Sequence, residues 1–180
     1  TIMECTERIL KNPKDADAYF DLGRVYEAIN KNREAKDEIT KAIELDPEND
    51  TYKAIAIWFV KAINDHDVDE IINLMSEDHI FIDAIDNKSV GKKGMKEGWE
   101  GYYELFPDYQ IEISDITENL SIVGIFGYAS ATYKNLTNKL NSNLWRIPAS
   151  WKAIVENNKI KHWQVYCDYS NLFKIIEKNK

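Results

Sequence analysis

The sequence predicts an α+β protein in which a short all-helical part precedes a larger domain with early helices and late strands. The first 50 residues hold only three aromatic side chains, whereas all five Trp residues lie in the rest of the chain. Apolar residues mostly follow a helical period as far as residue 106 and a strand period beyond it. Pro47 and the polar segment after it mark a boundary near residue 50. We therefore expect two domains, 1–50 and 51–180.

The segment AYFDLGRVYEAINKNREAKDEITKAIELDP, residues 18–47, predicts a hairpin of two antiparallel helices. One helix face carries large side chains at i, i+3 and i+7, namely Tyr19, Leu22 and Tyr26. The small residues Gly23 and Ala35 would let the two helices approach closely. Asn30 suits the left-handed turn between the helices, and Pro47 ends the second helix.

The order and spacing of these residues resemble a tetratricopeptide repeat. The upstream segment CTERILKNP resembles the last helix of a preceding repeat, ending at Pro13. This makes about one and a half repeats, whereas about three are needed for an independent stack. We therefore expect the helices to pack on the second domain, another subunit or further repeats. The resemblance implies a protein partner, and a purely structural appendage is the alternative.

The second domain begins with three predicted helices and one strand. YKAIAIWFVKAINDHD carries one apolar helical stripe, and VDEIINLM carries another after the capping residue Asp67. HIFIDA then predicts a strand. GKKGMKEGWEGYYELFP predicts a helix that ends at Pro107, with one face formed by Met95, Trp99, Tyr102 and Phe106.

Four long strands and a short terminal helix, NLFKIIEK, complete the chain. The strand segments are YQIEISDITE, LSIVGIFGYASATY, NLWRIPASWKAIVE and IKHWQVYCD. Gly124 and Gly127 permit a sharp bend or a close approach of another backbone. Pro148 predicts a bulge in the third of these strands. Helices early and strands late are the α+β pattern.

Charge and composition exclude several functional classes. A net charge of -8 argues against nucleic acid and anionic membrane surfaces as partners. No apolar run approaches the roughly 20 residues of a membrane helix. Cys5 and Cys167 fall in different predicted domains, and the start of the chain lacks a leader pattern, so we expect a reducing, cytoplasmic location. The three His lack ligand spacing. We expect no metal and no cofactor.

Three segments of the second domain carry a family resemblance. They are AINDHDVDEIINLMSEDHIFID, SVGKKGMKEGWEGYYELFPDYQIEI and NNKIKHWQVYCD. In this order they resemble the SnoaL-like and ketosteroid-isomerase-like branch of the nuclear transport factor 2-like superfamily. The resemblance implies a curved antiparallel sheet wrapped around three helices, a cone-shaped, cystatin-like α+β roll with a mostly apolar pocket. It also implies a homodimer through the outer face of the sheet.

Asp83 is the first candidate catalytic residue. It ends the strand segment IFID, where the isomerase branch places its proton-shuttling carboxylate. Burial among Phe81, Trp58 and Trp99 would favour the neutral acid and make the anion a stronger base. The structural alternative is that Asp83 caps the turn that follows it. The resemblance also places Ser150 where that branch has a second acid, which argues against steroid-type isomerisation.

Asp168 and Tyr166 are the other candidate catalytic residues. Asp168 matches the acid that ends the last strand of SnoaL-like proteins, and Tyr166 could polarise a carbonyl. On a regular strand both share a face with Ile160 and His162, whereas Trp163 lies on the opposite, more apolar face. We expect the Trp163 face to point inward. Asp168 then lies near the rim, either in a catalytic role or as a cap of the terminal helix.

Six aromatic residues are candidate ligand-binding residues, with plain core packing as the alternative: Trp58, Trp99, Tyr103, Trp145, Trp151 and Trp163. The sequence favours a non-catalytic module that binds a small apolar molecule, or a protein partner through the tetratricopeptide helices. The alternative is a cofactor-free acid–base enzyme of the isomerase, cyclase or hydratase type.

Overall fold

A computed structural model describes residues 1–29, 31–45, 51–134 and 143–179. The chain divides into two compact units, Thr1–Ala54 and Ile55–Lys180. The expected helix-ending roles of Asn30 and Pro47 fall outside the described residues.

The N-terminal unit contains the helices α1 (Ile2–Lys11), α2 (Ala16–Ala28) and α3 (Asn32–Leu45). Thr1 and Glu4 form a capping box at the start of α1. α1 ends at Lys11, slightly before the predicted end at Pro13. The Arg8 guanidinium pairs with the carboxylates of Asp15 and Asp21. These ion pairs tie α1 to the start of α2.

The predicted close approach of α2 and α3 at Gly23 is confirmed. A Cβ atom on Gly23 would lie 2.6 Å from Cγ1 of Ile39 and 3.1 Å from the carbonyl oxygen of Ala35. Leu22, Ala35 and Ile39 are buried at this contact. The helices approach this closely because Gly23 has no side chain.

The second unit contains most of α4 (Thr51–Asn64), followed by α5 (Val68–Leu74), α6 (Met95–Leu105) and α7 (Ser170–Glu177). Asp67 caps α5 as predicted, because its carboxylate accepts a hydrogen bond of 3.0 Å from the Glu70 amide. Phe59, Ile63 and Ile71 on α4 and α5 are completely buried. These helices supply one side of the apolar interior.

The sheet contains six strands: β1 (Met75–Ile82), β2 (Lys88–Val90), β3 (Gln110–Asn119), β4 (Ile122–Thr132), β5 (Leu144–Glu156) and β6 (Lys159–Cys167). Their order is β2-β1-β6-β5-β4-β3. Four neighbouring pairs are antiparallel, and β1 and β6 are parallel. The sequence analysis did not predict β2 or the parallel pair. β2 has only three residues, all exposed, so it carries no apolar pattern. The parallel pair depends on long-range pairing, which local residue patterns do not report.

The bulge predicted at Pro148 is wrong. The β4–β5 register runs without a shift from Ile122↔Ile154 to Thr132↔Leu144, with Tyr128 opposite Pro148. The pairing of β5 with β6 ends at Ala149, so Pro148 lies beyond the last residue that β6 pairs with. A residue without an N–H is tolerated there because no partner needs it.

Two register shifts occur elsewhere in the sheet. β3 shifts between Ile113 and Asp115 opposite Gly127, where a Cβ would lie 1.8 Å from the Glu112 carbonyl oxygen. This is the close backbone approach that the glycine predicted. β6 shifts so that Ile160 pairs with Val155 and His162 with Ile154. Ile160 is therefore fully buried, and its predicted place on the His162 face is wrong.

Candidate ligand-binding site

A cavity of about 500 Å³ lies within the second unit, lined by residues of the sheet and of α4, α6 and α7. Its position follows from two side-chain periods. The predicted α6 face of Met95, Trp99, Tyr102 and Phe106 lines it as a whole. On β1, the alternate residues His79, Phe81 and Asp83 also line it. A cavity of this size is in the range of sites for small molecules.

The charge of the lining restricts which ligand fits. Among the described residues that line the cavity, none is Lys or Arg, and Asp83 is the sole carboxylate. Transfer of an anion from water into such a site, with no cation to pair with it, is unfavourable. The walls therefore suit a molecule that is neutral and largely apolar.

Asp83 lines this cavity at the end of β1, but its carboxylate is engaged in the following turn. It accepts hydrogen bonds from the Ile85 amide (3.0 Å), the Asn87 amide (2.8 Å) and the Asn87 side-chain amide (2.9 Å). The same residue thus borders the cavity and caps the β1–β2 turn. Its position is therefore compatible with both roles considered in the sequence analysis, a carboxylate beside a pocket and a cap of the following turn.

Three of the six predicted ligand-binding aromatics line the cavity: Trp99, Trp151 and Trp163. Trp163 is 1% exposed and meets the Phe59 ring edge-on at 4.9 Å between centroids. Trp163 lies on the inner face of β6, as expected from its more apolar neighbours. These rings supply wall area without a charge.

The other three predicted aromatics lie outside the lining and make contacts elsewhere. The Trp58 indole N–H donates to Glu70 at 2.9 Å. The Tyr103 hydroxyl donates to the Ile63 carbonyl at 2.8 Å. Trp145 is 4% exposed and packs edge-on against Phe106. Of these three residues, Trp145 is buried, whereas Trp58 and Tyr103 are partly buried.

Asp168 and Tyr166 do not line the cavity in the described part of the chain. Asp168 is exposed and accepts hydrogen bonds from the Ser170 amide at 2.8 Å and the Ser170 hydroxyl at 2.5 Å, at the start of α7. These bonds hold the pKa of the Asp168 carboxyl below its usual value, and the bond from the Ser170 hydroxyl has the largest effect. Tyr166 is 47% exposed. The structure does not bring these two residues together with Asp83 around one space.

The sequence analysis missed His79, which is completely buried and lines the cavity. Its Nδ1 lies 2.7 Å from the Ile160 carbonyl oxygen on β6. Its Nε2 is buried and has no hydrogen-bond partner in the described part of the chain. Burial lowers the pKa of the imidazole, so the ring is neutral at pH 7. A signal was available, because His79, Phe81 and Asp83 alternate along one strand.

Three tyrosines also line the cavity: Tyr109, which is buried, and Tyr102 and Tyr169, which are partly buried. The Tyr102 and Tyr109 rings lie 5.1 Å apart in an edge-on contact. Burial raises the pKa of all three phenols far above the ordinary value. They therefore stay protonated and available as hydrogen-bond donors.

The model of the SnoaL-like domain matches residues 57–150, and the model of the tetratricopeptide repeat matches residues 16–49. The first match covers just over half of the chain and includes the helices and strands that build most of the cavity wall. The protein belongs to the SnoaL-like domain family, with a tetratricopeptide fragment before that domain. No protein of curated function matches its sequence.

Solved structures share the fold at low sequence identity. One from Xanthomonas campestris, provisionally named a polyketide cyclase, is 14% identical, with a TM-score of 0.63 over 69% of this chain and 96% of its own. An LEH-like epoxide hydrolase of M. tuberculosis is 13% identical, with a TM-score of 0.60 over 74% of this chain and 94% of its own. A ketosteroid isomerase-like protein from Catenulispora acidiphila, solved with trimethylamine, is 14% identical, with a TM-score of 0.59 over 67% and 89%. These similarities establish the fold alone.

The described residues also bear on metal binding and membrane insertion. They contain no group of three or more His, Cys, Asp or Glu placed to hold a metal ion. None of the helices described is long and apolar enough to cross a membrane.

Proposed function

We propose that the second unit is a non-catalytic module that binds a neutral, ring-shaped apolar molecule in the cavity. The observation that carries this proposal is an aromatic-walled space of about 500 Å³ that has no cationic residue in its described lining. Trp99, Trp151 and Trp163 would contact the ligand, and apolar burial would drive its binding.

The alternative is a cofactor-free acid–base enzyme with Asp83 as the base. Its support is the position of Asp83 on the cavity and the names of two structural relatives, a cyclase and an epoxide hydrolase. Binding is favoured over catalysis because three turn donors already occupy the Asp83 carboxylate. Asp168 and Tyr166 also lie outside the cavity lining.

Two glycines of α6 provide a matched test of cavity binding. Added Cβ atoms at Gly98 and Gly101 would both meet open space, but only Gly98 is among the lining residues. We expect Gly98→Phe to weaken naphthalene binding at least about 10-fold and Gly101→Phe to leave it unchanged. Calorimetry measures the affinity, and circular dichroism checks the fold. Naphthalene that fails to bind, or binds both variants like the wild type, would exclude the proposal.

The charge argument is tested with 2-naphthoate beside naphthalene on the unaltered protein. The two rings are alike, and only the carboxylate differs. We expect the anion to bind far more weakly, since no cation in the described lining can pair with it. An anion that binds as tightly as the hydrocarbon would contradict the proposed ligand class.

We also propose a homodimer through the outer face of the sheet. Cross-strand pairing places Phe126, Ser150 and Tyr166 in one row, and Phe126 and Tyr166 are each 47% exposed. We expect Phe126→Asp to give a monomer in sedimentation experiments. Leu120→Asp, in the exposed β3–β4 turn, is the control and should not change the mass. A wild-type protein that sediments as a monomer would contradict this proposal.

The N-terminal helices, residues 1–50, are proposed to contact a cytoplasmic protein partner, with residues 51–180 as the ligand-binding domain. The tetratricopeptide match supports a protein contact. Deletion of 1–50 should abolish cross-linking to that partner and leave naphthalene affinity unchanged. Cross-linking that survives the deletion would contradict the assignment.

A further inference from the structure

The cavity meets solvent beside three apolar side chains. Ile85, Val90 and Phe173 line the cavity and are 59%, 65% and 44% exposed. A residue that both lines a cavity and is exposed lies where that cavity meets water. Single apolar side chains on a surface are ordinary, but several at the opening of one cavity mark a site of interaction. We call these three residues the apolar rim.

Two parts of the fold supply the apolar rim. Ile85 and Val90 belong to the hairpin of β1 and β2, and β2 is an edge strand of the sheet. Phe173 belongs to α7. Burial is the main cause of the raised pKa of Tyr169, which precedes α7, and the charge of Asp83 at the end of β1 adds to it. The start of α7 therefore lies near the hairpin.

The lining changes in character towards this opening. Trp151 and Trp163 are 2% and 1% exposed, so they form the closed part of the wall. On α6, Gly94 and Gly98 line the cavity, and a Cβ added to either would meet no atom within 4 Å. Helix α6 therefore leaves room beside the cavity. A molecule held only among the buried rings would leave the apolar rim in water.

We propose that the cavity binds neutral ring molecules that carry an apolar chain, with the ring beside Trp151 and Trp163 and the chain running out over the apolar rim. The inference rests on the proposed binding function and names the ligand class for it. The rim continues the apolar wall, so one molecule can cover both surfaces, and burial of additional apolar area favours the longer ligand. A second copy of the protein seated on the rim is the competing occupant.

The test compares prodan with laurdan, two neutral fluorophores with the same substituted naphthalene ring and either a propionyl or a lauroyl chain. Each fully buried methylene strengthens binding roughly fourfold, and the rim is exposed on one side, so we expect the wild type to bind laurdan at least about 10-fold more tightly than prodan. Fluorescence titration below the concentration at which laurdan aggregates measures both affinities.

Variants of the apolar rim locate the chain. In the double variant Val90→Ser and Phe173→Ser, the laurdan preference should fall below about 3-fold, because the rim loses apolar area. Both residues are exposed, so the variant should fold, and circular dichroism checks this. Leu120→Ser is the control. Leu120 is 82% exposed and lies outside the described lining, so this variant should keep the preference.

A second measurement needs no variant. A soluble gadolinium chelate broadens methyl resonances according to their exposure. Broadening of the Ile85 and Val90 methyl resonances in the wild type should decrease when laurdan binds and change little when prodan binds. Sedimentation of the wild type and the double variant completes the test, since a second copy seated on the rim would give the double variant a lower mass.

Several results would overturn the inference and leave the proposed function intact. They are a wild type without a laurdan preference, a preference that survives in the double variant, rim methyl groups that stay exposed with laurdan bound, and a double variant of lower mass. If naphthalene binds but neither fluorophore does, only this inference fails. If none of the three binds, the proposed function fails and the inference fails with it.

Discussion

The turn after β1 provides the sharpest test of what Asp83 does. Its carboxylate accepts three hydrogen bonds, from the amides of Ile85 and Asn87 and from the Asn87 side chain. Asp83→Ala removes all three. Asp83→Asn keeps the Oδ1 atom that accepts both backbone amides and disturbs only the bond to the Asn87 side chain. Comparison of the two variants therefore distinguishes the effect of losing the backbone hydrogen bonds of the cap from the effect of losing the negative charge.

The expected loss of stability follows from exposure. Hydrogen bonds to a charged group contribute about 1.5–3 kcal/mol each where the groups are buried. Ile85 and Asn87 are exposed, so their freed N–H groups would bond to water instead. The loss of a helix-capping side chain, about 0.5–2 kcal/mol, is the better guide. We expect Asp83→Ala to lower the free energy of unfolding by about 1–2 kcal/mol and Asp83→Asn by less than about 1 kcal/mol.

Urea unfolding followed by Trp fluorescence measures the loss, and hydrogen exchange at the Ile85 and Asn87 amides locates it. Asp86→Asn is the control, because Asp86 lies in the same turn with a positive φ that Asn also tolerates. An Asp83→Ala variant with wild-type stability and unchanged exchange would refute the capping role. The acid–base alternative would then gain, because the carboxylate would be free to take a proton.

Three further predictions concern other parts of the chain. Gly23→Ala should destabilise the helical hairpin by about 1 kcal/mol, since overpacking outweighs the gain in helix propensity. In a double-mutant cycle, Ile39→Ala should reduce the destabilisation caused by Gly23→Ala. Additive effects of the two substitutions would contradict the close approach. His79→Gln should reduce the loss of stability as pH falls below about 6.5, because the wild-type folded pKa is lowered and the unfolded chain binds the extra proton; equal pH slopes of urea stability would contradict this. Asp168→Asn should reduce the loss of stability below about pH 4 for the matching reason, a lowered carboxyl pKa, and thermal melts at pH 3 and pH 6 check it.

Features with a local cause were predictable from the sequence. The Asp67 cap, the Gly23 contact and the face of α6 with Met95 and Trp99 each depend on neighbours within a few residues, or on one repeat pattern. The family resemblance added the curved sheet, which the domain match and the structural similarities confirm. The resemblance itself was carried by the order of motifs along the chain.

Features that depend on distant pairing were not predictable in this way. The parallel β1–β6 pair joins residues about 80 positions apart. The same pairing orients His79, because its Nδ1 lies beside the Ile160 carbonyl oxygen of β6. The residues next to His79 in the sequence do not distinguish it from other strand residues. The sequence also could not separate Trp99, which lines the cavity, from Tyr103, which bonds the Ile63 carbonyl.

The sequence by itself determined the class of the fold and, apart from β2, the identity of its helices and strands, because side-chain periods and capping residues act over short distances. Only the tertiary structure decided which aromatic rings surround an open space and which fill the core. It also decided that the unpaired nitrogen in the wall belongs to a histidine. The physical reason is that a cavity is a property of packing between elements, and its lining is set by register and helix position rather than by composition.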